Sequence, residues 1–228
     1  MTAAPARAPD APLLLSAFAG APETGRVYHC DALTLLRAMP AGSVDCIITD
    51  PPYGIGKASW DTIIPLDWLA EAWRVSSRLI VMTGNPEMIE VGHVIGAVRN
   101  VVVMNARNGM TRSKTGFANW FPALVCGDWD WKPRPNYLPF NVSITETIKH
   151  PSPKPLTAMV KLIEKYTERN WLICDPFSGS GTTSIAAKRL GRRFIGSDVD
   201  LTYCEEARRR IAQPFTLPMF AETEAVPS

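Results

Sequence analysis

Two stretches of the chain carry residue types that could do chemistry together. The apolar run Val44–Thr49 leads straight into Asp50-Pro51-Pro52-Tyr53. Each proline fixes φ and removes an N–H donor, so the carbonyls around the pair are held rigidly and stay free to accept hydrogen bonds. A carboxylate beside a rigid carbonyl is a receptor for an amino group, which has two N–H donors to offer. The aromatic residue that follows can stack on a planar ring. The second stretch is Asp175-Pro176-Phe177-Ser178-Gly179-Ser180-Gly181-Thr182-Thr183, set between the run Trp171–Cys174 and a helical segment, Ser184–Leu190. Glycines let a backbone approach a ligand closely, and a helix N-terminus offers free N–H groups. Asp198 lies 23 residues beyond Asp175 at the end of another apolar run, where an acid can hold a ribose diol. The dinucleotide pattern GxGxxG fails at Ser184 and the Walker pattern GxxxxGK[ST] is absent. The expected ligand is a nucleoside without a pyrophosphate.

These motifs need a scaffold that brings strand ends together. Strands are expected at Val27–Cys30, Val44–Thr49, Leu79–Thr83, Asn100–Asn105, Trp120–Cys126, Trp171–Cys174 and Phe194–Ser197. Most are continuous Val/Ile/Leu-rich runs, as in a parallel sheet covered on both faces. Between them, Leu66, Leu69, Ala70 and Trp73, and again Leu156, Met159, Val160 and Ile163, follow helical spacing. Asn85-Pro86-Glu87 reads as a helix start, and Asp200 as a cap before Tyr203, Ala207 and Ile211. Residues 106–118 and 127–149 read as loops. The alternation predicts an α/β fold: a doubly wound, mostly parallel sheet with a small loop-rich insertion.

Length and composition bound the rest. The chain has 228 residues, 46% hydrophobic and 20% charged, which excludes a disordered or fibrous protein. Residues 1–25, with eight Ala and four Pro, read as a disordered leader and 214–228 as a flexible tail. The remaining 26–213 suit one domain. Five widely spaced cysteines without a CxxC pair argue against a disulfide framework or a zinc site, so no metal is expected. No apolar run reaches 18 residues, and Leu13–Ala19 is too short for a signal peptide, which points to the cytoplasm. Net charge is +2, but residues 91–145 hold six basic and two acidic residues, leaving a slightly acidic remainder. Arg107, Arg112, Lys114, Lys132 and Arg134 in that basic middle are the candidates for holding phosphates. Arg208-Arg209-Arg210 reads as a solvated helix face near a C-terminus.

The two motifs together resemble the S-adenosylmethionine-dependent amino-methylating DNA methyltransferases. DPPY preceding DPFSGSG by 125 residues resembles their circularly permuted β group. Val27-Tyr28-His29-Cys30-Asp31, His150-Pro151-Ser152-Pro153-Lys154-Pro155 and Ile195-Gly196-Ser197-Asp198 with Tyr203 resemble three further family segments. One departure is Phe121-Pro122, where the family often has His-Glu. The resemblance implies a Rossmann-like methyltransferase fold. It also implies methyl transfer from S-adenosyl-L-methionine to the N6 amino group of an adenine flipped out of double-stranded DNA. N4 of cytosine, adenine in RNA and a non-catalytic DNA-binding module are the alternatives, and adenine is favoured over cytosine because the cytosine group more often begins its motif with Ser.

By the same resemblance, Asp50 and the Pro51 carbonyl, stiffened by Pro52, accept the amino N–H groups while Tyr53 stacks on the base. Asp175, Phe177, Gly179, Ser180, Gly181 and Thr182 surround the methionine part of the cofactor with Lys154 nearby. Asp198 takes the ribose and Asp31 the adenine end. The short recognition segment, about 22 residues before HPSPKP, favours a homodimer on DNA and leaves any restriction enzyme to a separate chain. The tail Gln213–Phe220 faintly resembles peptides that dock on the replication sliding clamp.

Overall fold

The computed structural model describes residues 20–52, 67–109, 111–113, 116–130, 132–142 and 154–214. The expected leader and tail, including the clamp-like segment, lie almost wholly outside the described residues, as do Tyr53 and Lys114. The strands are β1 (Arg26–His29), β2 (Cys46–Thr49), β3 (Arg78–Met82), β4 (Val98–Ala106), β5 (Thr111–Ser113), β6 (Gly116–Ala118), β7 (Trp120–Gly127), β8 (Tyr137–Phe140), β9 (Leu172–Asp175) and β10 (Arg193–Asp198). The helices are α1 (Ala32–Ala38), α2 (Trp68–Val75), α3 (Met88–Ile95), α4 (Leu156–Tyr166), α5 (Thr182–Arg189) and α6 (Leu201–Ala212).

Eight strands form one sheet in the order β1-β10-β9-β2-β3-β7-β4-β8, and β5 pairs with β6 in a separate hairpin. Neighbours run parallel except at β7, which is antiparallel to both β3 and β4. All seven expected strands are present, which makes the sheet mostly parallel and the fold α/β as the alternation predicts. The two segments read as loops contain more order than expected. Residues 106–118 hold the β5–β6 hairpin, and 127–149 hold β8, which adds to β4 in parallel register. Both were hidden because three- and four-residue strands are too short to show a period.

The sheet is covered on both faces, and its strand residues alternate between two cores. Ile47, Leu79, Val81 and Cys174 pack with α1, α2 and α3 on one face. Cys46, Ile48, Ile80, Met82 and Ile173 pack with α4 and α5 on the other. Alternation between two apolar layers is why these strands read as unbroken hydrophobic runs. On α2 the buried stripe is Trp68, Leu69, Ala72 and Val75. That is turned from the expected one: Ala70 is exposed, Trp73 half-buried, and Leu66 lies outside the described residues. The helix after β3 begins at Met88, with no side-chain cap from Glu87, so Asn85-Pro86 forms the turn before it. Asp200 caps α6 as expected, accepting from the Thr202 and Tyr203 amides. Among the described residues no helix is long and apolar enough to cross a membrane.

Candidate active site

Strands β2 and β9 lie side by side in parallel, with Cys46 opposite Ile173 and Ile47 opposite Cys174. The helix that follows β2 covers one face of the sheet and the helix that follows β9 covers the other. This is a topological switch point, where diverging connections leave a crevice at the carboxyl ends of the strands. Both motifs begin there. Asp50 follows β2 directly and Asp175 is the last residue of β9.

Asp175 is buried, 4% exposed. Its Oδ1 accepts from the Thr49 hydroxyl at 2.7 Å and from the Phe177 amide at 3.2 Å. Burial pushes its carboxyl up to about 6, against the hydrogen bonds from Thr183, Thr49 and Phe177, with the neighbouring Asp50 charge adding to the rise. A carboxyl raised in the folded chain holds its proton where the unfolded chain has lost it. The stability that this proton confers is full below the ordinary carboxylate range and fades as pH rises through about 6. Between pH 5 and pH 7 the stability of the protein relative to its Asp175→Asn variant is therefore expected to fall by about 1 kcal/mol. Denaturant titrations of both proteins at the two pH values check this, and a flat difference would mean that Asp175 keeps an ordinary carboxyl.

The turn after Asp175 is tied down at each residue. The Ser178 hydroxyl donates to the Asp175 carbonyl at 2.8 Å, and the Ser178 amide donates to the Ser197 carbonyl at 2.8 Å. The Gly179 amide donates to Asp198 Oδ2 at 2.8 Å. Gly179 and Gly181 both take positive φ, 48° and 81°, and Gly181 leads into α5. The space that Gly181 leaves open belongs to Ala207 of α6, which a Cβ would approach to 2.7 Å. Its role is thus close packing of the loop on α6, beyond the ligand approach that the sequence suggested. Phe177 packs edge-on against Trp68 of α2, with ring centroids 5.4 Å apart.

Arg210 is the residue that sequence reasoning missed. It is 4% exposed, and its Nη1 donates to the Ser180 carbonyl at 2.6 Å and the Ser180 hydroxyl at 3.2 Å. The expectation that Arg208–Arg210 form a solvated face holds for Arg208 and Arg209, both exposed, the latter pairing with Glu206, and fails for Arg210. Arg208 Nε donates to the Val27 carbonyl at 2.9 Å. The available signal was spacing, because Arg210 continues the buried stripe of Cys204 and Ala207 on α6. A cation on an apolar stripe needs a fixed partner, and here the partner is the glycine loop.

Asp198 ends β10, next to β1, and its second oxygen, Oδ1, accepts from the Asp200 amide at 2.9 Å. Desolvation raises its carboxyl above the ordinary value. Asp31 follows β1 at the same sheet edge, but its carboxylate serves as the N-cap of α1, accepting from the Thr34 amide at 2.8 Å and the Thr34 hydroxyl at 2.7 Å. Asp50 is half-buried, Pro51 buried and Pro52 half-buried. Lys154, just before α4, forms an ion pair with Asp50 Oδ2. Asp50 Oδ1 is buried with no hydrogen-bond partner among the described residues.

The basic candidates divide. Arg107 is exposed at the end of β4, and β4 ends at the same sheet edge as β2. The β5–β6 hairpin, which carries Arg112, springs from that edge between β4 and β7. Lys132 and Arg134, read with them as candidates for holding phosphates, lie elsewhere. Lys132 pairs with Asp130 and Glu168, each at 2.9 Å, and Arg134 pairs with Asp130 at 2.7 Å and stacks over Trp129 and Tyr166. Those hydrogen bonds hold the Asp130 carboxyl down at about 2. Tyr166 and Glu168 stand at the far end of α4 from Lys154, about 16 Å away along the helix. Lys132 and Arg134 are neutralised at the amino ends of the strands.

Comparison with known proteins agrees with this arrangement. Residues 129–209 match the family described as DNA methylase. That match and the relatives below support an S-adenosylmethionine-dependent DNA amino-methyltransferase. Type II methyltransferase M2.DpnII of Streptococcus pneumoniae is 28% identical over 81% of this chain and 88% of its own length. DNA adenine methyltransferase YhdJ of Escherichia coli is 25% identical over 83% of each. The solved M1.HpyAVI–SAM complex superposes with a TM-score of 0.63 at 26% identity, over 81% of this chain and 98% of that one.

Proposed function

We propose that this DNA methylase moves the methyl group of S-adenosylmethionine to the exocyclic N6 amino group of adenine in double-stranded DNA. The observation that carries this reading is the buried Asp50 oxygen, without a hydrogen-bond partner among the described residues, beside the rigid Pro51-Pro52 turn and across the switch point from the glycine loop. An acceptor without a donor is costly to bury, about 1–3 kcal/mol. An amino group brought to it relieves that cost.

The residues present fit the cofactor. Buried Asp175 offers a carboxylate to an ammonium group, and the loop through Gly179 and Gly181 ends at a helix N-terminus that favours a carboxylate. Asp198 keeps acceptor capacity for a diol beyond its two backbone bonds. Ser180 and Thr182 hold the loop through Arg210, and Phe177 closes it against Trp68. Bound there, S-adenosylmethionine supplies an electrophilic methyl on a sulfonium and leaves as a neutral thioether.

The chain's own part is positioning and charge. Asp50 Oδ1 and the Pro51 carbonyl accept the two amino N–H groups and draw the nitrogen toward tetrahedral geometry. Its lone pair, otherwise conjugated into the ring, is then localised for attack, and the surplus proton on nitrogen leaves for solvent after transfer. Tyr53 stacks on the extruded base and offsets part of the few kcal/mol of flipping. Incubation of the full chain with labelled S-adenosylmethionine and unmodified duplex DNA, followed by nucleoside analysis, is expected to yield N6-methyladenine. N4-methylcytosine, or label taken up only by a matching RNA, would overturn the base or the nucleic acid named.

Arg107 and Arg112 are proposed to hold phosphates on this edge. Alanine at either is expected to weaken DNA binding and to lower the slope of log affinity against log salt by about one. Lys132→Ala and Arg134→Ala are expected to leave both unchanged in the same fluorescence-anisotropy titration.

A further inference from the structure

We infer that Lys154 is a positioning residue of the transfer reaction: it holds one carboxylate oxygen of Asp50 so that the other is presented to the amino group of the target base. The inference rests on the reading of Asp50 given above. It departs from the place by the cofactor that the family resemblance gives to Lys154.

A carboxylate on a short side chain rotates readily about its last bond, which exchanges its two oxygens. An acceptor that must meet one N–H at one angle therefore needs its other oxygen fixed. Lys154 Nζ makes that bond to Oδ2, while Oδ1 is left buried and unpartnered among the described residues. The two side chains are only 17% and 21% exposed, so solvent screens the pair weakly. The lysine is steadied in turn. Its ammonium lies 5.6 Å from the ring centroid of Phe121, within cation–π range, and Phe121 packs against Phe140 with centroids 6.0 Å apart. Phe121 and Phe140 stand at the carboxyl-edge ends of β7 and β8, so the sheet edge that bears Asp50 also carries the support for its partner.

An ammonium is the suitable clamp because it only donates. The amino group of a base is also a donor, so it cannot bond to Lys154 through its N–H groups and is left with the lone pairs of Asp50 Oδ1 and the Pro51 carbonyl. Lys154 thus directs the amino group to Oδ1 without competing with it as an acceptor.

The test is single-turnover methylation of DNA at saturating cofactor by the full chain and its Lys154→Ala, Lys154→Gln and Lys154→Arg variants, with cofactor dissociation constants and melting temperatures measured in parallel. A misplaced reacting group costs about 100-fold. Lys154→Ala is expected to slow transfer by roughly that factor while cofactor affinity and melting temperature stay within about twofold and 3 °C of the parent. Lys154→Gln is expected to fall between, and Lys154→Arg to recover most of the rate. A saturated rate within about twofold of the parent in both Lys154→Ala and Lys154→Gln would overturn the inference. So would a loss of cofactor affinity with the saturated rate intact, since Lys154 would then serve the cofactor. A parent chain that transfers no methyl to DNA would reject the underlying reading itself, a result distinct from either.

Discussion

Replacing Asp50 with Ala or Asn is expected to lower methyl transfer by roughly 100- to 1,000-fold while leaving S-adenosylmethionine binding within about twofold of the parent. The split follows from geometry. Asp50 follows β2 and, among the described residues, accepts no hydrogen bond from the glycine loop that follows β9; the hydroxyl that reaches across to Asp175 comes from Thr49. Loss of the Asp50 carboxylate removes the acceptor that localises the amino lone pair, a contribution made chiefly in the transition state, so it falls on the rate rather than on binding. Asp50→Asn keeps the shape and isolates the charge. It also leaves the Lys154 ammonium without its anion, in a site only 17% exposed, so a modest fall in stability is expected with Asn and a larger one with Ala. Isothermal titration with cofactor and a filter assay with labelled cofactor and DNA separate the two quantities. Equal loss of both would place Asp50 in the cofactor pocket and remove it from the amino-group receptor.

Gly196→Ala is expected to destabilise the fold by about 3 kcal/mol and to weaken cofactor binding at the same time. Gly196 sits inside β10, and its backbone faces the turn that follows β9. A Cβ there would lie 2.0 Å from the Ser178 hydroxyl and 2.8 Å from the Asp175 carbonyl. Those two atoms are bonded to each other at 2.8 Å, so the intruding methyl wedges apart the hydrogen bond that shapes the loop. For a body of this size the melting temperature is expected to drop by about 6–12 °C. The double variant with Ser178→Ala removes the closer clash but not the one with the carbonyl, so it is expected to recover part of the stability. A Gly196→Ala protein that melts with the parent would show that β10 can shift away from the turn without cost.

Much of the candidate site is legible in the amino-acid sequence. DPPY and DPFSGSGTT announce themselves because proline, glycine and an acid at a strand end restrict the backbone and its chemistry locally, and those restrictions do not depend on distant residues. The parallel sheet was legible too, since strands buried on both faces must be apolar at every position. The family resemblance added the order of the motifs and hence the permuted arrangement.

What sequence misread has a common cause. Lys132 and Arg134 share a basic stretch with Arg107, but the chain crosses the whole length of the sheet between them along β7, so neighbours in charge became opposites in place. Arg210 stood in a run of arginines that looked solvated, and only the packing of α6 on the glycine loop turned it inward. Phe121, noted merely as a departure from the family, became the platform for Lys154 because β7 and α4 meet at one edge. Residue types and local spacing fixed which groups could accept an amino group and which turn could cradle a nucleoside. Only tertiary structure decided which charges face that crevice, which are neutralised elsewhere, and that Lys154 reaches Asp50 across 104 residues of sequence. Backbone restriction is local in the chain, whereas ion pairing depends on distance in space.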